Sequence, residues 1–156
     1  MLEEDFNLIS NSAEVTRELG KRLGKLLALG DIVCLQGDLG AGKTTLVQGL
    51  AQGWGSIDPV SSPTFIIVNL YRRADDAELY HLDTYRLESA PEAAMLDLDD
   101  MLYAGPLVIE WPERIESVLP AERLWLNLEY IDEEKRSICI KAKGARYETI
   151  LKEIRK

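Results

Sequence analysis

The chain has 156 residues, of which 46% are hydrophobic and 29% are charged, and its formal net charge is −9. This length predicts a single domain, residues 1–156, that buries about two-thirds of its unfolded surface. The acidic balance argues against non-specific adhesion to nucleic acids or to anionic membranes.

The chain also lacks the sequence features of a membrane or exported protein. No apolar run approaches the roughly 20 residues that span a bilayer. The first ten residues, MLEEDFNLIS, are acidic where a signal peptide would be basic and then apolar. We therefore expect a cytoplasmic protein with no membrane contact.

The first third of the chain predicts a strand, a helix, a strand and a second helix. EDFNLIS is a candidate edge strand. Between residues 12 and 29 the apolar residues, Val15 among them, recur with a helical period. DIVCLQ is a continuous apolar run, typical of a central strand that is covered on both faces. A glycine-rich loop follows it, and TTLVQGLAQGW opens the second helix.

The rest of the chain predicts two hairpins, one more buried strand and two helices. TFIIVNLYR and AELYHLD form the first candidate hairpin, and RLWLNLEYI and RSICIKAK form the second, around the turn DEEK. A broken helix is expected between Pro91 and Gly105, PLVIEW reads as a buried strand, and ARYETILKEIRK as a closing helix. Together these elements predict an α/β fold, a three-layer P-loop NTPase-like domain with a mixed central sheet.

The cysteines and the single histidine make a zinc site a poor candidate. Cys34 and Cys139 lie far apart, each inside an apolar strand-like run, and neither has metal-ligand spacing around it. We expect both to be buried free thiols. His81 lies on a strand, where a backbone or carboxylate partner is the more common environment.

The glycine-rich loop carries the motif G-x-x-x-x-G-K-T at Gly37, Gly42, Lys43 and Thr44. In such a loop backbone N–H groups surround a phosphate, and the following helix adds its positive end. Lys43 is expected to bridge the β- and γ-phosphates, and the Thr44 hydroxyl to bind Mg²⁺. The expected nucleotide-binding residues are Asp38, Leu39, Gly40, Ala41, Gly42, Lys43, Thr44 and Thr45.

Two carboxylates and one threonine are candidates for the remaining parts of a phosphoryl-transfer site. Asp83 and Glu110 each end an apolar strand, and either could approach the magnesium, cap a helix or form a salt bridge. Thr64, in SSPTF, follows a proline that restricts the backbone. A threonine held in this way could sense the γ-phosphate, or it could simply begin a strand.

Four arginines are candidates to neutralise phosphate charge, and the sequence does not choose among them: Arg72, Arg73, Arg86 and Arg114. The three tryptophans are expected in core or rim packing, although Trp111 directly follows Glu110 and so could face the site. Basic residues concentrate at the end of the chain: residues 135–156 hold eight Lys or Arg and two Glu, while the other 134 residues carry a net −15. A solvated hairpin and helix, or a surface for a phosphate-bearing ligand or acidic partner, would both explain this segment.

The chain resembles the TsaE family in four motifs that occur in the family's order and spacing. They are GDLGAGKTT, SPTF, HLDTYR from His81 to Arg86, and EWPER from Glu110 to Arg114. The resemblance runs from about Val15 to Arg114, whereas Met95 to Leu102 lacks the glycine and aromatic residues often found there.

The resemblance implies an ATPase of bacterial tRNA threonylcarbamoyladenosine synthesis. Such a protein binds ATP with Mg²⁺, hydrolyses it slowly unless joined by TsaB and TsaD, and resets their complex, so that it meets tRNA only indirectly. The resemblance makes Lys43, Asp83 and Thr64 the catalytic residues, with Asp83 needed for hydrolysis and Thr64 as the switch threonine. It makes Thr44 and Glu110 the magnesium ligands.

Two other functions remain open at the level of the sequence. A P-loop small-molecule kinase begins with the same loop, although the segment after Arg86 is acidic where kinase lids bring arginines. A non-hydrolysing adaptor would use ATP only to stabilise one conformation. A GTPase is disfavoured, because the chain has no Asn-Lys-x-Asp stretch after a strand.

Overall fold

The structure is a computed structural model that describes residues 3–60, 68–87 and 97–156. The strands are β1 (Glu3–Ser10), β2 (Ile32–Gln36), β3 (Val68–Arg72), β4 (Glu78–Asp83), β5 (Leu107–Glu110), β6 (Arg123–Tyr130) and β7 (Arg136–Lys143). The helices are α1 (Ala13–Leu26), α2 (Lys43–Trp54), α3 (Leu98–Ala104) and α4 (Ala145–Arg155). Two short 3₁₀ turns, Pro112–Arg114 and Glu116–Val118, follow β5.

All seven described strands form one sheet, in the order β1-β7-β6-β2-β5-β4-β3. β2 pairs in parallel with β5 and β6, and β5 pairs in parallel with β4. The β3–β4 and β6–β7 hairpins and the β1–β7 pair are antiparallel. The mixed sheet and the α/β class are confirmed, with β1 at an edge and the apolar strand β2 in the centre.

Helices α1 and α2 cross at very short distance because both present glycines at the crossing. A Cβ atom added to Gly49 of α2 would lie 2.0 Å from the carbonyl oxygen of Arg17, and one added to Gly53 would lie 2.1 Å from that of Lys21. On α1 a Cβ at Gly24 would lie 2.0 Å from the carbonyl oxygen of Leu50. The contact is therefore made by backbone atoms, and it fixes α2, whose first turn borders the phosphate loop.

Helix α4 holds the start of β2 in place. The Ile32 N–H donates to the hydroxyl oxygen of Tyr147 at 3.0 Å. Arg146 forms an ion pair with the buried carboxylate of Asp31, with Nη2 and Oδ2 2.8 Å apart. Both contacts fix the strand that leads directly into the loop.

The expected burial of Cys139 was wrong, and Val15 of the helical period is exposed. Val15 is 43% exposed, because Thr16 takes the buried position of that first turn and its hydroxyl contacts that of Ser10 at 2.7 Å. Cys34 is a fully buried free thiol as expected, but Cys139 is only partly buried. Its neighbours Ile138 and Ile140 face the core, so the alternation of a strand turns Cys139 to the other face.

The broken helix expected between Pro91 and Gly105 corresponds in its second half to α3, which ends at the C-cap Gly105. Pro91 lies outside the described residues. Among the residues that the structure covers, no helix is both long and apolar enough to cross a membrane.

Candidate functional site

The loop between β2 and α2 has the backbone conformation that a phosphate cradle needs. Gly40 and Gly42 have φ of 83° and 101°, in the left-handed region that side chains disfavour. The Ala41 N–H donates to the Asp38 carbonyl at 3.0 Å, which closes the turn. Gly42 is the N-cap of α2 and has no side chain to cap the first turn, so the N–H groups there stay available to an anion.

A pocket of about 260 Å³ lies beside this loop and gathers most of the residues expected from the sequence. It is lined by Leu39, Gly40, Gly42, Lys43, Thr44, Thr45, Asp83, Glu110, Trp111 and Arg136. Asp38 lines a neighbouring pocket, and the side chain of Ala41 is buried. Thr64 lies outside the described residues.

Asp83 and Glu110 meet at this pocket because their strands are parallel neighbours. They are in register with each other, and Glu110 is also in register with Leu35 of β2, just before the loop. Carboxylates at the carboxyl ends of parallel strands next to a phosphate loop lie where open α/β sheets bind ligands.

Glu110 is held by His81 of the neighbouring strand β4, and His81 is bonded in turn to Tyr71 of β3. The Oε2 atom of Glu110 lies 2.6 Å from Nε2 of His81, and Nδ1 of His81 lies 2.9 Å from the Tyr71 hydroxyl. A neutral imidazole that donates from Nε2 to the carboxylate accepts the tyrosine proton at Nδ1. The expected carboxylate partner of His81 is thus Glu110, and β3, β4 and β5 are linked by one buried chain of hydrogen bonds.

Asp83 is the more accessible of the two acids, since its side chain is only half-buried. Burial raises the pKa of Asp83, and the charge of Glu110 raises it further. The Tyr85 N–H, which donates to Oδ1 at 2.9 Å, and the charge of Lys43 lower the same pKa and so oppose this shift. Asp83 therefore offers an oxygen to the pocket under electrostatic conditions that favour accepting a proton.

The ammonium group of Lys43 is the charge that the pocket leaves unsatisfied. Lys43 is 5% exposed, and Nζ has no hydrogen-bond partner among the described residues. Burial lowers the pKa of Lys43, while the nearby charges of Glu110 and Asp83 raise it. A buried ammonium without an acceptor is costly, and a bound phosphate would supply the missing acceptors.

Trp111 covers this ammonium, a contact that the sequence left open. Nζ of Lys43 lies 3.9 Å from the centroid of the indole ring, within cation–π distance. The backbone of Trp111 is left-handed, with φ of 60°. Its N–H donates to the Leu35 carbonyl, and its carbonyl accepts from the Thr84 hydroxyl. These two bonds hold the strained backbone in the conformation that places the ring over the lysine.

The arginine in the pocket is Arg136, which the sequence reasoning did not single out, although it belongs to the basic segment 135–156 for which a phosphate-bearing ligand was one explanation. None of the four arginine candidates is among the described lining residues of the pocket. Arg72 pairs with Asp58 and Arg73 with Asp75 on the surface. The charge of the basic segment was the available signal, but it did not identify this residue, because the contact of Arg136 with the loop joins residues 96 positions apart.

The donors present fit a nucleotide with Mg²⁺. Magnesium in nucleotide sites is bound by one or two carboxylates, a hydroxyl and the phosphates themselves. Thr44, Asp83 and Glu110 supply these oxygen atoms at one pocket, and the unpaired ammonium of Lys43 supplies the charge for the phosphates.

Comparisons with known proteins identify the family of this chain. The model of the family described as "Threonylcarbamoyl adenosine biosynthesis protein TsaE" matches residues 10–138. The tRNA threonylcarbamoyladenosine biosynthesis protein TsaE of Bacillus subtilis is 39% identical over 142 residues, which cover 90% of this chain and 88% of the relative. The protein of that name from Streptomyces coelicolor is 42% identical, over 85% of this chain and 94% of its own length.

A solved structure shows the same fold. The crystal structure of Bacillus subtilis YdiB superposes with a TM-score of 0.81 and 30% sequence identity, covering 99% of this chain and 97% of the other. The family model spans the phosphate loop, both acids and Arg136, which are the residues that build the pocket. This chain, with its phosphate loop, therefore belongs to the TsaE family of threonylcarbamoyladenosine biosynthesis proteins.

Proposed function

We propose that this protein is a Mg²⁺-dependent ATPase that acts with TsaB and TsaD in forming threonylcarbamoyladenosine beside the anticodon of tRNA. ATP hydrolysis resets their complex between turnovers, and the protein meets tRNA only through that complex, in the cytoplasm and away from membranes. The observation that carries the proposal is the buried, unpaired ammonium of Lys43, which shares one pocket with two carboxylates and the phosphate loop of a TsaE family member.

Each part of the pocket has a role in this proposal. The loop from Asp38 to Thr45 binds the phosphates through its N–H groups, and Lys43 leaves the ring of Trp111 to bridge the β- and γ-phosphates. Thr44 and Glu110 would hold the magnesium ion. When bound, that ion neutralises charge on the phosphate oxygens.

Asp83 has the role of orienting the attacking water. Its side chain is half-buried, and one of its oxygens is already fixed by the Tyr85 N–H. Glu110, by contrast, is almost fully buried and is bonded to His81, which suits a fixed metal ligand better than a group that moves a proton. Thr64 is expected to contact the γ-phosphate side of the site, and this role stays a prediction.

We also infer that the chain works as one domain. Strands from residue 3 to residue 143 enter a single sheet, and the pocket draws residues from β4, β5, β7, the start of α2 and the phosphate loop. Because the pocket takes residues from strands on both sides of β2, neither half of the described sheet contains the whole site by itself.

The test is phosphate release from Mg-ATP by the protein alone and after addition of purified TsaB and TsaD, with Mg-GTP as the control nucleotide. We expect slow release that is selective for ATP and that rises when both partners are present. Tight ATP binding without release in either condition would contradict hydrolysis and support the adaptor. Phosphate transfer to a small metabolite would support the kinase.

A further inference from the structure

Arg136 approaches the phosphate loop from the side opposite to the two acids. It is the first residue of β7, which is separated from the loop-bearing strand β2 by β6. Asp83 and Glu110 lie on β4 and β5, on the other side of β2. The pocket therefore has an acidic end and an arginine end, with the loop between them.

Contacts on several sides hold the guanidinium group of Arg136 in place. Nε donates to the carbonyl oxygen of Gly40 at 3.1 Å, inside the phosphate loop itself. Nη1 donates to the carbonyl of Lys135 at 2.9 Å and also to that of Asp132. The guanidinium carbon lies 4.7 Å from the centroid of the Tyr130 ring. An arginine fixed in this way loses little further conformational entropy when it binds an anion.

One edge of the guanidinium group remains available. Of its five N–H donors, the Nε proton and both Nη1 protons are directed to backbone carbonyls. Among the residues that the structure describes, no oxygen accepts a hydrogen bond from Nη2. The side chain also lies against the loop, since Cγ of Arg136 would be 3.7 Å from a Cβ atom at Gly42.

The position of Arg136 decides which part of a nucleotide it can reach. In the proposed function the γ-phosphate lies at the acidic end, near Lys43, Asp83 and Glu110. A triphosphate that lies along the loop from that end extends towards the β6–β7 hairpin, on the other side of β2, where Arg136 lies. We propose that Arg136 is a nucleotide-binding residue that contacts the phosphates on their nucleoside side, in ATP and ADP alike.

This inference rests on the proposed function and adds a residue to its site. A contact made equally in the bound substrate and in the product contributes to affinity and not to the rate of the bound complex. Loss of Arg136 should therefore weaken ATP and ADP binding by the same factor and leave turnover at saturating ATP unchanged. An arginine that acted on the transferred phosphate would show the opposite pattern.

The experiment compares Arg136→Gln, Arg136→Ala and Arg136→Lys with the wild-type protein. Glutamine keeps N–H donors for the Gly40 carbonyl without the charge, and lysine keeps the charge without the planar fork. Arg155→Gln is the matched control, because it removes a positive charge whose guanidinium lies over Phe6, outside the pocket lining. The readouts are the Kd values of Mg-ADP and Mg-ATP by calorimetry, the turnover at saturating ATP, and the Tm without nucleotide.

We expect Arg136→Gln and Arg136→Ala to raise both Kd values at least about tenfold, as for loss of a charge-assisted hydrogen bond. Arg136→Lys should recover part of the affinity, and Arg155→Gln should match the wild type. Arg136→Ala could also lower the Tm by changing the shape of the loop. Recovery of nucleotide affinity in Arg136→Lys would then show that the lost charge, and not a changed loop, weakened binding. Absence of that recovery would overturn the inference.

Two further results would also overturn it. One is a pair of unchanged Kd values in Arg136→Gln while the wild type binds both nucleotides, which would leave the proposed function standing. The other is an unchanged Kd for ADP together with a lower turnover, which would place the arginine at the γ-phosphate. A wild-type protein that binds neither nucleotide would instead refute the proposed function, and the inference with it.

Discussion

At the scale of single residues, the buried ammonium of Lys43 makes the nucleotide-free protein less stable than it could be. We expect Lys43→Met to raise the free energy of unfolding by about 1 kcal/mol, because methionine fills similar space without an unpaired charge. The same substitution should abolish the thermal stabilisation that Mg-ATP gives the wild-type protein. Thermal unfolding with and without Mg-ATP measures both effects.

The difference in the free energy of unfolding between Lys43→Met and the wild type should depend on pH, with a sign that follows from the pKa of Lys43. Burial lowers the pKa of Lys43 below the ordinary value of 10.5, so at pH values between the two the unfolded chain binds more protons than the folded one. Stability contributed through this residue therefore rises with pH in that interval. The advantage of Lys43→Met over the wild type should shrink from pH 7 towards pH 10. A variant less stable than the wild type at pH 7 would show that the Trp111 ring outweighs the burial.

The prediction about catalysis concerns Asp83. Asparagine preserves the shape of the side chain and the acceptor for the Tyr85 N–H, but it removes the charge to which we assign the orientation of the attacking water. We expect Asp83→Asn to keep the wild-type Kd for Mg-ATP within about threefold and to lower turnover by about 10²-fold or more. Calorimetry and phosphate release measure the two quantities. Wild-type turnover in this variant would exclude the role.

At the scale of elements, the crossing of α1 and α2 reverses the usual effect of replacing glycine in a helix. Alanine is favoured over glycine in an exposed helix by about 1 kcal/mol. At Gly49 the added methyl group would lie 2.0 Å from the Arg17 carbonyl oxygen, so the two helices would have to separate. We expect Gly49→Ala to lower the free energy of unfolding by about 3 kcal/mol. Gln52→Ala, at an exposed position of the same helix, serves as the control in chemical denaturation.

The hydrogen-bonded chain across β3, β4 and β5 predicts strong coupling between His81 and Glu110. Removing the imidazole leaves the Glu110 carboxylate buried without the donor at 2.6 Å. We expect His81→Ala to cost about 3–5 kcal/mol, and clearly less in a Glu110→Gln background. A double-mutant cycle by urea denaturation measures the coupling. Additive effects would mean that this contact contributes nothing to stability.

The elements themselves were largely predictable, because their patterns are local. The continuous apolar run of β2 indicated a strand buried on both faces, and β2 is the fourth of the seven strands within the described residues. The alternation in β6 and β7 and the charged turn between them indicated their hairpin. Burial was less predictable at Val15 and Cys139, since it depends on which neighbouring element covers each position.

The residues of the candidate site were likewise predictable where the pattern is local and unpredictable where the contact depends on the fold. Lys43, Thr44, Asp83 and Glu110 belong to motifs or strand ends that a linear sequence displays, and the structure brings them to one pocket. The contacts of Arg136 with Gly40 and of Trp111 with Lys43 arise only from the order of strands in the sheet. No pattern within a short stretch of the chain contains that order.

At the scale of the whole molecule, the basic final segment of the chain is less available to a polyanion than its composition suggests. It forms β7 and α4, where Arg146 of the helix is paired with Asp31 and the C-cap residue Lys156 with Glu153. The rest of the molecule is strongly acidic. These charges suit a protein that reaches tRNA through partner proteins.

We therefore expect the isolated protein to bind tRNA weakly at 50 mM salt and not measurably at 200 mM, because phosphate contacts lose affinity steeply as salt rises. Filter binding at the two salt concentrations measures this. Tight association that does not respond to salt would contradict the prediction and indicate a contact with bases rather than phosphates.

The pairing of β1 with β7 also has a consequence for the order in which the protein can be made. Residue 3 pairs with residue 143, and the central strand β2 has no neighbour until residue 107 is present. During synthesis the first strand therefore emerges from the ribosome long before its partner exists. An unpaired strand edge is prone to wrong pairing, and distant contacts form slowly. The ribosome must release nearly all of this chain before the sheet, and with it the surroundings of the phosphate loop, can close.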